Sequence, residues 1–305
     1  MQTVSITNLQ NYPLLEVTSS NDFKTVIQEV QHLHLYFATE SDDQGTGYDR
    51  PELVTVLPWL QNAWLTPIAS HLKTLELYFD ECWGPFPGCF APADLDLPVL
   101  DKLVLGNYCF ADGNQLDWIL AQGTLKTLHF DGCFITSHLQ LRGDYMEQFT
   151  INTEDWTKLN PEDFAHPYPH QCEGKVFFDY PGTWAEALDR IREGLLNLSD
   201  FKLIYNRDDE NASYRETSFG STEQLNTILS PARYNNYKCS VLPTPWVDEE
   251  DARIDLYKQD LASYLARSDE TQEEDQAALD RLLLVVHQRV IEHPSAQLSH
   301  LTVKI

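Results

Sequence analysis

The chain has 305 residues, 42% of them apolar, with 47 acidic against 21 basic residues and a formal net charge of −26. That length can bury a large core, as one elongated unit or two compact ones. The charge argues against binding a nucleic-acid backbone, which needs clustered Lys and Arg, and against docking on anionic membranes, while a basic protein or peptide would be steered toward such a surface. The opening MQTVSITNLQNYPLL has no basic start followed by an apolar run, so no secretory signal is expected. No apolar stretch approaches the ~20 residues that span a bilayer. A cytoplasmic or nuclear location is therefore expected, with the cysteines Cys82, Cys89, Cys109, Cys133, Cys172 and Cys239 as reduced thiols, since they show no C-x-x-C and no framework spacing.

Residues 1–29 read as an irregular lead-in with a short helix over Asn21–Glu29. From there a six-position pattern, apolar-x-x-apolar-x-apolar, recurs: Val30-Leu33-Leu35, Leu72-Leu75-Leu77, Leu100-Leu103-Leu105, Leu125-Leu128-Phe130, Met146-Phe149-Ile151, Leu198-Phe201-Leu203 and Leu298-Leu301-Val303. The middle positions step from 75 to 103, 103 to 128 and 128 to 149, that is 28, 25 and 21 residues, near the period of leucine-rich repeats. In such repeats each copy adds one short parallel strand to a shared core. The longer steps must hold extra helices or loops. Cys133 and Asn206 follow Phe130 and Leu203 by three, where a polar group can satisfy the backbone leaving the strand.

Between the repeats, 40–52 is polar and reads as an exposed loop, and Leu53–Ala69, with Trp59 and Trp64, as a helix. The stretch after Tyr78, DECWGPFPGCFAPADLDLP, has too many Pro and Gly for regular structure, yet it carries Trp83, Phe86 and Phe90. The unit 100–133 reads strand, helix, strand, its helix NQLDWIL stopping before Gly123. Residues 152–175 read as loop. Thr183-x-x-Glu186 and Ser221-x-x-Gln224 are capping boxes that open helices. From Asp248 to Asp280 there are twelve acidic residues against three basic ones. Two acidic helices are expected there and beyond, the second opening at Thr271-x-x-Glu274 and running to Pro294. The expected fold is thus α/β: an irregular leucine-rich-repeat-like solenoid over 1–245, with parallel strands on one face and helices and loops on the other. An acidic helical cap over 246–305 would close the open end of the stack.

Side chains alternate along a strand, so the residues between the marked apolar positions should face outward. That assigns His32, His34 and Tyr36 to one strand, and Thr74, Glu76 and Tyr78 to the next. Lys102 and Val104 follow, then Thr127, His129 and Asp131, then Gln148, Thr150 and Asn152. Glu76, Lys102 and His129 are expected at one level of three successive strands, where an acid, an amine and an imidazole, with Asp131 beside them, offer acid/base groups. The binding residues expected on or around this face are His32, His34, Tyr36, Thr74, Tyr78, Thr127, Trp83, Phe86, Phe90 and Tyr168. His166, His170 and Cys172 are metal-ligand types, but a tetrahedral zinc set needs about four ligands and no second cluster is in view, so no metal is expected. No phosphate-binding glycine loop, G-x-S-x-G or H-E-x-x-H occurs, and no cofactor is expected.

The string LPVLDKLVLGNYCFADGNQLDWILAQGTLKTLHFDGCFI at 97–135 resembles the leucine-rich region of a large group of fungal F-box proteins. Their L-x-x-L-x-L-G-N-x-x-F strand, Q-L-D-W-I-L helix and following T-L-x-x-L-x-L strand with its cysteine are matched by Leu103, Leu105, Gly106, Asn107 and Phe110, by Gln115–Leu120, and by Leu125, Leu128 and Cys133. Flanking segments at 32–37, 74–87 and 183–203 agree more loosely. The resemblance implies a substrate-recognition fold. The helical, L-P-x-E-I-like segment by which such proteins dock on a ubiquitin-ligase scaffold has no counterpart in 1–30. Two functions follow as expectations. The first is a non-catalytic recognition or scaffold protein that binds a protein or peptide on its strand face. The second is a cofactor-independent isomerase or cyclase acting on an apolar small molecule in a pocket between that face and the loops 82–90 and 164–172.

Overall fold

The computed structural model describes residues 2–39, 51–85, 88–90, 92, 95–142, 152–160, 174–204, 227–238 and 267–292. Six parallel strands form the main sheet: β1 (Thr3–Gln10), β2 (His32–Ala38), β3 (Thr74–Trp83), β4 (Lys102–Phe110), β5 (Thr127–Asp131) and, later in the chain, β9 (Asp200–Ile204). They pair in chain order, each strand with the next of the six. A second group, β6 (Phe134–Arg142), β7 (Thr157–Leu159), β8 (Lys175–Asp179) and β10 (Tyr234–Lys238), continues from the end of β4 into a ten-stranded, mostly parallel sheet. Among the described residues the β6–β8 and β7–β8 pairs alone are antiparallel.

The recurring apolar triplet builds the main sheet. In the copies within β2 to β5 and β9, every marked residue from Val30 to Leu203 is at most 3% exposed. Its first member lies in a turn closed by the amide of Val30, Leu72, Leu100, Leu125 or Leu198. At the next step the backbone repeats one device. The carbonyl of Gln2, Gln31, Lys73, Asp101 or Lys126 accepts two successive amides of the following repeat, at 2.8–3.1 Å. This locks the register of each new strand to the last. Cys133 fills the place expected of it, with its thiol directed at the Leu105 carbonyl, 3.2 Å away.

Helices cover the apolar side. They are α1 (Leu15–Ser19), α2 (Asn21–Ile27), α3 (Pro51–Trp59), α4 (Asn114–Leu120), α5 (Trp184–Gly194) and α6 (Gln272–Glu292). Pro58 lacks an amide donor, and the helix expected over Leu53–Ala69 passes from α3 into a π turn at Leu60–Leu65 and a 3₁₀ turn at Thr66–Ile68. The Thr183 hydroxyl caps α5 by accepting the Glu186 amide at 3.2 Å. Rings run through the core: Phe37 stacks on Phe79 and Phe79 on Trp83, Trp83 meets Tyr108 edge-on, and Phe110, Phe130 and Phe201 continue the series.

Several elements differ from the sequence reading. Residues 1–29 are not only a lead-in, because Thr3–Gln10 is the first strand of the sheet. The stretch 152–175 expected as loop contains β7. Strands β6, β8 and β10 lie outside the repeat pattern that guided the reading. The copies at 146–151 and 298–303, Asn206, the capping box at Ser221 and the first acidic helix lie outside the described residues. A helix, α6, lies where the second was expected; it begins at Gln272 and packs on α5 and β9. Among the described residues no helix is long and apolar enough to cross a membrane.

Candidate functional site

The common register puts the outward side chains of the main sheet in rows. The first row is Thr3, His32, Thr74, Lys102, Thr127 and Asp200, and the second is Ser5, His34, Glu76, Val104, His129 and Lys202. Tyr36, Tyr78, Gly106, Asp131 and Ile204 form a third. Neighbouring strands are ~4.8 Å apart, so groups in one row are within reach of each other.

This register corrects one expectation. Glu76 and His129 share a row, but Lys102 sits one step earlier, level with Thr74 and Thr127, and Val104 separates the acid from the imidazole. The acid, amine and imidazole form two separate groups instead of one set. Glu76, only 6% exposed, lies 2.8 Å from His34 Nδ1 through one carboxylate oxygen and 2.6 Å from Lys102 Nζ through the other. Burial pushes its carboxyl up, but the His34 and Lys102 contacts outweigh this and hold it below the usual range. His129, 7% exposed, is held through Nε2 by Asp200 at 2.8 Å. Burial of Asp200 is likewise outweighed by His129 and the lysines at 202 and 102, so its carboxyl titrates low.

His32 Nδ1 is 2.9 Å from the Thr74 hydroxyl. Burial, then the neighbouring His34 and Lys73, lower its pKa and favour the neutral ring. In the third row the Tyr36 and Tyr78 rings stack with centroids 6.4 Å apart, and the Tyr78 hydroxyl donates to Asp131 at 3.4 Å. Gly106 makes this row what it is: a Cβ there would lie 2.0 Å from Tyr78 Cδ1, so the ring rests on bare backbone. Asn107 then takes φ +56° and donates to the Phe79 carbonyl at 2.7 Å, which accounts for the Gly-Asn pair of the sequence. Thr127 keeps its expected place on β5.

The aromatic residues of the loop after Tyr78 are placed differently. Trp83 and Phe90 are 3% and 1% exposed and belong to the core, where Trp83 Nε1 donates to the Gly106 carbonyl at 2.7 Å. The expectation of no regular structure here is corrected at its start, because β3 runs on through Asp80–Trp83, and the Trp83 and Phe90 rings turn inward. Phe86, Tyr168, Gln148, Thr150, His166, His170 and Cys172 lie outside the described residues, and Asn152 sits in a turn where it accepts the Glu154 amide. Among the described residues no group of three or more His, Cys, Asp or Glu side chains could hold a metal ion.

Three acidic side chains and a lysine escaped the sequence reading. Asp200 and Lys202 alternate with Phe201 and Leu203, so the rule that found His32 and Glu76 would have found them too. Past the Tyr78 level β3 bulges, and the Asp80 carboxylate there is held by the Thr39 amide and hydroxyl, both at 2.7 Å. Its neighbour Glu81 has a shielded Oε2 without a partner, and burial together with Asp80 pushes its carboxyl up to about 8. Comparison with known protein families, with curated protein sequences and with solved structures gives no match.

Proposed function

We propose that this chain is a leucine-rich-repeat-like recognition protein, related to the fungal F-box proteins, and that it binds a protein or peptide on its strand face. The observation that carries the reading is the single register of six parallel strands in chain order, which sets polar side chains in evenly spaced rows. Such rows suit an extended partner lying across the strands, with fixed donors and acceptors meeting it at each step. Pairing within the rows supports the same reading. Glu76, His129 and Tyr78 are each held by a neighbour, so the groups they position are pre-organised, which lowers the entropy cost of binding. The isomerase or cyclase alternative draws less support, because the acid, amine and imidazole are split between two groups and Trp83 and Phe90 are taken up by the core.

The test is the intact mass, under non-denaturing conditions, of protein isolated from its native host. A co-purifying polypeptide is expected with the parent chain and not with a His32→Ala/Tyr36→Ala variant. A bound small organic molecule and no polypeptide would overturn the recognition reading in favour of the enzyme.

A further inference from the structure

The chain as a whole carries −26, yet the turns and the first two rows of the strand face hold four lysines against three carboxylates, a small positive excess. Lys73, at the turn into β3, is exposed and acts electrostatically on His32. Lys102 starts β4 with its side chain 40% exposed. Lys202 lies in β9 beside His129 and, with Lys102, acts on Asp200. With Lys126, which pairs with Asp101 at 2.8 Å, the cations number four and meet three carboxylates, Glu76, Asp101 and Asp200, all of them already engaged, by Lys102 and His34, by Lys126 and by His129. Lys73 and Lys202 have no acidic partner within ion-pair distance among the described residues. Three imidazoles, His32, His34 and His129, lie between the lysines and add ring N–H groups.

We infer that the partner segment bound here is acidic: a carboxylate-rich peptide of about six residues laid across β2 to β9, its side chains meeting Lys73, Lys102 and Lys202. The inference rests on the recognition reading above and adds the chemistry of the partner. The length follows from four inter-strand steps of ~4.8 Å, ~19 Å in all, covered by about six extended residues at ~3.3 Å each. The acidity of the remaining surface does not forbid this. At physiological ionic strength the screening length is ~8 Å, so charges on the helical side are damped while cations in contact with the peptide are not. Basic partners drawn by the overall charge would meet the helical side, where Glu273, Glu274 and Asp280 are exposed.

The experiment is fluorescence anisotropy with two labelled peptides of equal length, one built of Glu and Ser and the other of Lys and Ser, added to the full chain at physiological salt. The acidic peptide should bind, and a Lys73→Glu/Lys202→Glu variant should lose about tenfold in affinity with an unchanged melting curve, since both lysines stand outside the core. Preference for the basic peptide, or an acidic peptide indifferent to the two reversals, would overturn the inference. The two failures are distinguishable. If the native partner is lost on His32→Ala/Tyr36→Ala substitution but contains no acidic segment, only this inference falls. If no polypeptide co-purifies with the parent chain and neither peptide binds, the recognition reading falls with it.

Discussion

Asp275 offers the sharpest test of how the C-terminal helix is held. It is fully buried in the first turn of α6, and its carboxylate accepts from Arg233 Nε at 2.7 Å, Thr271 Oγ1 at 2.8 Å, the Tyr234 hydroxyl at 3.0 Å and the Ala185 amide at 2.8 Å. Arg233 is 1% exposed and also donates to the carbonyls of Ser230 and Ser268. Asp275→Asn keeps the shape and removes the charge, leaving a buried guanidinium without a counter-ion. Breaking such a pair costs about 3–5 kcal/mol. The two carbonyls that Arg233 retains place the expected loss near about 3 kcal/mol. That is a large share of the ~5–15 kcal/mol by which domains are stable. The assay is urea unfolding followed by tryptophan fluorescence, since Trp184 donates to the Arg233 carbonyl and reports on the network. A double variant, Arg233→Met/Asp275→Asn, should recover part of the loss, because it strands no charge and keeps a side-chain oxygen for the Ala185 amide and the Tyr234 hydroxyl. A loss under about 1 kcal/mol for the single variant, or a double variant less stable than the single, would refute this account.

Three other outcomes follow from the strand face and the end of β3. The Glu81 carboxyl is raised in the fold, so the folded state binds its proton more tightly; its penalty is absent below the ordinary value of 4.5 and grows as pH rises toward about 8. Glu81→Gln should therefore raise stability at pH 8 by on the order of 3 kcal/mol and leave it unchanged at pH 4, and an equal effect at both pH values would contradict the assignment. Glu76 is held low, so its contribution is present above the ordinary carboxylate range and is lost as pH falls through the folded-state value; Glu76→Gln should flatten the acid limb of a stability–pH curve, and an unaltered limb would count against the pairing. Gly106→Ala drives a methyl into the Tyr78 ring and should cost about 1–3 kcal/mol, with the aromatic circular dichroism of the Tyr36–Tyr78 stack altered; a neutral substitution would mean the ring can lift away freely.

The main sheet was legible because its signal is redundant. Each repeat spends three apolar positions on the core, and a spacing such as Leu72-Leu75-Leu77 fixes both the strand and its outward residues. His32, His34, Glu76 and His129 were found by that logic. What it missed has specific causes. Val4 and Ile6 alternate with polar residues in β1, and Leu139 and Leu141 do so in β6, but neither segment matches the six-position template. In β10, YNNYK has no apolar alternation to read, and its place beside β6 is set by tertiary pairing. The relative level of Glu76 and Lys102 is carried by the template itself: Lys102 precedes Leu103 as Thr74 precedes Leu75, whereas Glu76 follows Leu75 as Val104 follows Leu103. Trp83 failed as a surface residue because β3 runs on through it and packs its ring on Phe79 and Tyr108, and Phe90 because its amide bonds back to the Gly84 carbonyl at 2.6 Å.

The doubled amide bonds at the start of each strand have an evolutionary consequence. Because a main-chain carbonyl at Gln31, Lys73, Asp101 or Lys126 aligns the next strand, no outward side chain is needed to hold the sheet together. Substitutions among the exposed members of the rows can then accumulate one at a time without shifting the strands beneath them. A lineage of such chains could vary its exposed residues while keeping one scaffold, and a designer could rewrite Lys73 and Lys202 without redesigning the core.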